Sequence, residues 1–319
     1  MGCACDRSVG RWRLAWRIAG SDEASSQSNA GSTPCRSTTA VIVPDPSARR
    51  PGYPPAMSPT APAIPPLNPG DVPLAILVDY DGTIAQTDVT DTVLAEFVTG
   101  EWEDEAARYD AGLIGSRRLM EREIGMLDGA DPEAIRATAA AQPHDPGFAP
   151  LVAMARAARI PVDVVSDGFG FFIAPALERL GVRDVPIVTA DTTFEQGRAT
   201  IRFPNGHPNC FVCGTCKRNR VLAHQAAGRA VVFVGDGESD RYAAGYADVI
   251  FAKRALVRIC LEAGWPFHRW TEFAEISAWL ESTIDRWRED PATLAGPRTR
   301  PFFCGPEVWG DGRWDPPAP

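Results

Sequence analysis

The sequence predicts an α/β fold, an open parallel sheet with helices on both faces and a helical cap inserted after the first strand. Two observations predict the sheet and its helices. Four short runs are almost wholly apolar: "LAILV" (74–78), "IPVDVVS" (160–166), "AVVFVG" (230–235) and "DVIFA" (248–252). Runs of that length without polar alternation read as strands buried on both faces, as in a parallel sheet. The stretches "FFIAPALERLG", "KRNRVLAHQAAG", "DRYAAGYA" and "LVRICLEAG" have helical character and separate the later runs, and such alternation builds a sheet covered on both sides.

The N-terminal part reads differently. Twelve of the 29 prolines fall within the first 73 residues. Proline lacks the backbone donor and fixes φ, so segments such as "YPPAMSPTAPAIPPLNPG" suit neither helix interior nor central strand. Residues 1–70 are therefore expected to form a largely disordered extension, and Met57 offers an alternative start. The opening "MGCACDRSVGRWRLAWRIAG" makes a poor signal-peptide core, because Arg13 and Arg17 interrupt it. Asp6 occupies the position where a myristoylation pattern needs Ser or Thr.

Residues 71–290 hold the predicted domain. After the first strand, residues 88–148 carry helical spacing and no good strand, as in "DTVLAEFVTGEWEDEAARYDAGLIGSRRLMEREIGML". A helical insert there is placed to close over the strand ends as a lid. A second insert, about 184–216, mixes β-branched residues with turn formers in "VPIVTADTTFEQGRATIRFPNG". It reads as a hairpin leading into a cysteine cluster. From Pro291 to 319 the chain is again rich in Pro and Gly and reads as a loose tail.

The chemistry gathers where the strands end. The first run stops at Asp79, with Asp81 two residues later. The second ends at Ser166, followed by Asp167 and Gly168. The third opens into "GDGESD", which carries Asp236 and Asp240, and Lys217 begins the helix before it. Parallel strands deliver all of these to one edge of the sheet, where open α/β folds bind ligands. Clustered carboxylates repel unless a cation neutralises them. Acids without histidine suit Mg²⁺, which also retains waters and accepts a substrate phosphate. That combination fits phosphoryl transfer, with one aspartate as nucleophile, a second as acid and base, and Ser166 and Lys217 on the phosphoryl oxygens. Each motif alone is common in turns; all four in this order form a specific signal.

At these residues the sequence resembles the haloacid dehalogenase (HAD) superfamily of phosphatases. "DYDGT" (79–83), Ser166, Lys217 and "GDGESD" (235–240) match its four motifs across roughly residues 72–290. The resemblance implies an HAD-like, Rossmann-type sheet with a type-1 cap and a phosphoric monoester hydrolase. It also implies Asp79 as nucleophile, passing through an aspartyl-phosphate, and Asp81 as general acid/base. Ser166, Asp167, Gly168 and Lys217 would lie around the phosphate. Mg²⁺ would be held by Asp79, the Asp81 carbonyl and Asp236, with Asp240 in support.

A nearer resemblance, carried by "CFVCGTCKRNRV", "SDGFGFFI" and "FAKRALVRICLEAGWPFHRW", is to the 2-hydroxy-3-keto-5-methylthiopentenyl-1-phosphate phosphatase subgroup. Asp167 and Ser239 depart from the phosphoserine phosphatase pattern. The Ser-Asp pair at 166–167 is similar to phosphoethanolamine/phosphocholine phosphatases, which adds those esters as alternative substrates and leaves the reaction class unchanged. Asp167 is expected to contact a polar or cationic part of the substrate. A phosphate- or metal-sensing module without catalysis is the competing class.

His207, Cys210, Cys213 and Cys216 are spaced H-x₂-C-x₂-C-x₂-C, four soft ligands suited to one Zn²⁺. The alternatives are a metal-free hairpin or one reversible disulfide. The eight cysteines are otherwise scattered, unlike a secreted disulfide scaffold, so a cytoplasmic protein is expected. The net charge of −9 argues against non-specific nucleic-acid binding. No apolar stretch in the sequence approaches the length of a membrane span. The expected partner is a small phosphorylated metabolite. Arg117, Arg118 and Glu121 are candidates to enter the cavity beneath the cap.

Overall fold

A computed structural model of the chain describes residues 62–208 and 210–290. The expected tail from Pro291, the alternative start at Met57 and most of the N-terminal extension lie outside the described residues.

The first strand, β1 (Leu74–Val78), is buried along its whole length. Leu74, Ile76 and Val78 enter one apolar cluster, while Ala75 and Leu77 enter another on the opposite face of the sheet. Burying such a side chain contributes about 1.5–3 kcal/mol, and doing so on both faces leaves β1 only a central position. It lies between β2 (Val162–Phe169) and β5 (Ala230–Gly235), parallel to both.

The full sheet has the order β4-β3-β2-β1-β5-β6-β7, completed by β3 (Ile187–Glu195), β4 (Arg198–Arg202), β6 (Val249–Ala252) and the short β7 (His268–Arg269). All pairs are parallel except β3 with β4. The second predicted insert is thus more than a separate hairpin. Its first strand runs parallel to β2 and extends the central sheet, with Val164 opposite Ile187. The hairpin turns at Gln196 and Gly197, both at positive φ (51° and 75°), the backbone that tight hairpins need.

Four helices follow β1: α1 (Val89–Phe97), α2 (Trp102–Asp110), α3 (Ser116–Met126) and α4 (Pro132–Ala141). Asp88 caps α1 by accepting from Asp91 N–H (3.0 Å), and Asp131 caps α4 from Glu133 N–H (3.1 Å) with Pro132 as the first helical residue. Helix α5 (Phe148–Ala157) returns to the sheet. It packs with α10 (Phe273–Glu289), where the Phe148 and Phe273 rings stand 5.2 Å apart. Helices α6 (Gly170–Arg179), α7 (Lys217–Ala226), α8 (Arg241–Ala244) and α9 (Arg254–Ala263) complete the layers.

Residues 62–70, expected to be disordered, lie against this domain. Arg229 donates to the carbonyls of Pro65 (2.8 Å) and Pro66 (2.9 Å), Arg220 to that of Pro62, and Arg159 to that of Gly70 (3.0 Å). Proline has no N–H to donate, but its carbonyl accepts as well as any other.

Candidate active site

The carboxyl ends of β1, β2 and β5 converge. Asp79 follows β1 directly, and its N–H donates to Val234 O on β5 (2.9 Å), so the strand pairing extends one residue into the site. The next five residues wind into a turn, Tyr80–Ile84. Within it Gly82 takes φ 65°, and a Cβ there would overlap the Asp236 carboxylate. Only glycine fits this close approach. Thr83 donates to Asp236 Oδ1 (3.2 Å), fixing the acid that ends β5.

Lys217 binds the group together. Its Nζ donates to Asp79 Oδ1 (2.7 Å), Asp240 Oδ1 (2.8 Å) and Ser239 Oγ (3.0 Å), satisfying all three of its donors. Asp240 in turn accepts from the N–H groups of Asp236 (2.8 Å) and Gly237 (3.0 Å). Asp79, Lys217 and Asp240 are all buried.

The electrostatics follow from this crowding. Burial, then the neighbouring Asp240 charge, pushes Asp79 well above the usual carboxylate range, with Lys217 opposing. Burial and Asp240 push Asp236 up to about 6. Burial would depress Lys217, but Asp240 and Asp79 override it and hold the lysine well above its ordinary value. Asp79, Asp81, Asp167, Asp236 and Asp240 face Lys217, with Arg254 at 3.2 Å from Asp236 and Lys253 also acting on it, so five acids face three cations and remain short of positive charge. Either protons or a cation must supply it.

The residues fit a hard divalent ion. Asp79, Asp236 and Asp240 each offer an oxygen within 4.8 Å of the others, and an all-oxygen donor set suits Mg²⁺. The Asp81 side chain is outside that trio. Its Oδ1 accepts from Val89 N–H at the start of α1 (2.9 Å), and its other oxygen abuts Gly168 on β2. Burial, then Asp88, raises its pKa well above the ordinary value.

On β2, Ser166 is fully buried and its Oγ accepts from Gly168 N–H (2.8 Å). Asp167 points to the loop before α7, accepting from Thr215 N–H (2.6 Å) and bonding to Ser116 on α3. Arg117, Arg118 and Glu121 line a cavity of about 1070 Å³ beneath the cap. Both arginines pair with Glu121, at 3.4 and 3.1 Å.

The structure adds residues that the sequence did not single out. Tyr109 on α2 lines the same cavity. Burial, then Asp167, raises its hydroxyl pKa, and Lys217 and Asp240 also act on it, so the cap helix reaches the polar centre. Ser239, marked in the sequence only as a departure from the phosphoserine phosphatase pattern, gains a role through its bond to Lys217. Histidines 144 and 224 are structural: His144 bonds the Tyr80 hydroxyl (2.9 Å), and His224 the buried Asp163 (2.7 Å).

The zinc expectation finds no support. Among the described residues, only the Asp79, Asp236 and Asp240 set brings three candidate ligand atoms within 4.8 Å. His207, Cys210, Cys213 and Cys216 line one small cavity. Cys216 is tied by its N–H to Asn205 O (2.9 Å) as it enters α7.

An open parallel sheet that carries paired acids, a buried lysine and an acidic loop at its strand ends defines a hydrolase of the phosphoryl-transfer type. The haloacid dehalogenase-like hydrolase family model matches residues 76–245, and the chain belongs to that family. Among its relatives, the 2-hydroxy-3-keto-5-methylthiopentenyl-1-phosphate phosphatase of Brevibacillus brevis is 27% identical over 210 residues, covering 64% of this chain and 93% of that protein. The polyol phosphate phosphatase PYP1 of Saccharomyces cerevisiae is 27% identical, covering 67% of this chain and 95% of that one. A solved phosphoserine phosphatase, described as a phospho-aspartyl intermediate analogue, superposes with a TM-score of 0.53 at 18% identity, covering 66% of this chain and 99% of that one. This last likeness establishes the fold. Among the described residues no helix is long and apolar enough to cross a membrane.

Proposed function

We propose that this phosphatase uses Mg²⁺ and Asp79 to hydrolyse a small-metabolite phosphomonoester in the cytoplasm. The observation that carries the reading is Lys217 bridging Asp79 and Asp240 beside Asp236. Asp79 Oδ attacks phosphorus, giving an aspartyl-phosphate, and the leaving alcohol takes a proton from Asp81. Burial, then the Asp88 charge, raises the pKa of Asp81, the direction that an acid for this step needs. Asp81 then accepts a proton from the water that hydrolyses the intermediate. Ser166, Gly168 and Lys217 hold the phosphoryl oxygens, and Asp167 fixes the loop that leads to Lys217. Mg²⁺ held by Asp79 and Asp236, with Asp240 in support, would offset the charge of the acids and of the transferring group.

The relatives' names make 2-hydroxy-3-keto-5-methylthiopentenyl-1-phosphate the first substrate to try. A second reading, an amine-bearing ester such as phosphoserine, phosphoethanolamine or phosphocholine, rests on the Ser166–Asp167 pair on β2, where Asp167 lies beside the buried Ser166. Assay of the full chain against these esters, with Mg²⁺ and after chelation, separates the readings. Phosphate release that needs Mg²⁺, and a phosphoryl adduct on the Asp79 peptide after acid quench, are expected. Turnover retained by Asp79→Asn would reject the mechanism.

A further inference from the structure

Cys210, Cys213 and Cys216 line one cavity of about 20 Å³, together with Lys217 and Ser239. Cys210 and Cys216 are each 8% exposed and Cys213 is half-buried, and Cys210 and Cys213 both face the large cavity beneath the cap. No disulfide joins them in this structure. One accessible thiol thus stands between two buried ones, three residues away on either side.

The same loop joins cap to core. Arg117 N–H at the start of α3 donates to Val212 O (3.1 Å), Gly214 N–H donates to Ser116 Oγ (3.4 Å), and Thr215 N–H donates to Asp167 (2.6 Å). The fit is tight: a Cβ on Gly115 would overlap Val212 O, and one on Gly214 would stand 2.8 Å from Met120 Sδ. Cys216 is the residue that caps α7 immediately before Lys217. A covalent tie within 210–216 therefore pulls on Val212, Thr215 and Lys217 together.

We propose that Cys213 is a site of oxidation by peroxides, closing a disulfide with Cys210 or Cys216 that switches the enzyme off. The Cys213 thiolate attacks a peroxide oxygen and breaks the O–O bond, giving a sulfenic acid and hydroxide. The neighbouring thiol then attacks that sulfur, forming the S–S bond and releasing water. The two electrons pass from the thiols to the peroxide, which ends as water. A disulfide needs its two Cα atoms within about 7 Å and their Cβ atoms turned toward each other. Movement of the loop toward that geometry acts on its bonds to Ser116, Arg117 and Asp167. Loss of activity rests on the phosphatase reading, but bond formation does not.

The test treats the full chain with hydrogen peroxide, blocks remaining thiols by alkylation and maps the peptides. The expected result is a Cys213 disulfide to Cys210 or Cys216 and a roughly tenfold fall in turnover, the scale set by misplacing one catalytic group. Dithiothreitol reverses both, and Cys213→Ser, measured against its own untreated turnover, resists. Mapping decides the site even if no phosphatase substrate is found. The proposal is overturned if Cys213 stays alkylatable, if the bond forms without slowing turnover, or if Cys213→Ser is inactivated as fast as the parent.

Discussion

Gly168 abuts Asp81 so closely that a Cβ at position 168 would overlap the Asp81 carboxylate and stand 3.0 Å from Ser166 Oγ. The end of β2 is thereby pressed against the acid that follows β1, and a side chain there would have to move one or the other.

Gly168→Ala is therefore expected to lower kcat by roughly 10- to 100-fold through displacement of Asp81 or Ser166. Overpacking of this kind costs about 1–3 kcal/mol, which leaves most molecules folded if the parent has ordinary stability. Turnover and urea unfolding measured on the same preparation separate the two effects. An alanine variant with parental kcat would show that the carboxylate has room to spare.

Much of this site was legible in the sequence because its residues sit where regular elements stop. The apolar run of β1 has to end at Asp79, and "GDGESD" has to follow β5, so their meeting requires only parallel pairing. Lys217 was legible as the opening residue of a helix. Tyr109 was not, because it reaches the site through the packing of α2, and nothing local marks one aromatic in a polar helix. The zinc expectation rested on spacing alone, and spacing does not say which way a loop turns its thiols. Helix α10 escaped notice because the strand before it, β7, is only two residues long and leaves no apolar run in the sequence to mark where the helix begins. The order of residues 62–70 came from arginines far along the chain, which proline content cannot forecast.

Asp163 gives a stability prediction away from the chemistry. It is buried on β2 and accepts from Arg220 and His224, both buried too. Burial, the largest influence, works to raise its pKa, but His224 and Arg220 override it and hold the carboxyl below its ordinary value. Removing one member of a buried charged group costs about 3–5 kcal/mol. Asp163→Asn should lose stability on that scale while turnover per folded molecule stays near parental. For a depressed acid the stabilisation is present above its unfolded value of 3.8 and fades as pH falls through the lower folded one. The stability gap between parent and variant, followed by urea unfolding, should therefore narrow in acid. A constant gap down to the acid limit would mean that the charge of Asp163 contributes nothing.

Glu123 carries the opposite sign. It is 2% exposed on α3. Burial, then Asp91 and Asp88, pushes its pKa up to about 8 from an ordinary 4.5. Between those values the folded chain holds a proton that the unfolded chain has lost, so stability falls as pH rises through the window. Glu123→Gln keeps the shape and removes the titration. One pKa unit is worth about 1.4 kcal/mol, so even half of this shift would leave the glutamine variant on the order of 2 kcal/mol more stable than the parent at pH 8. Near pH 5 the folded parent is already protonated and most of that advantage disappears. Unfolding free energies measured at the two pH values decide the matter, and an advantage that does not change with pH would mean that Glu123 keeps its charge in the folded protein.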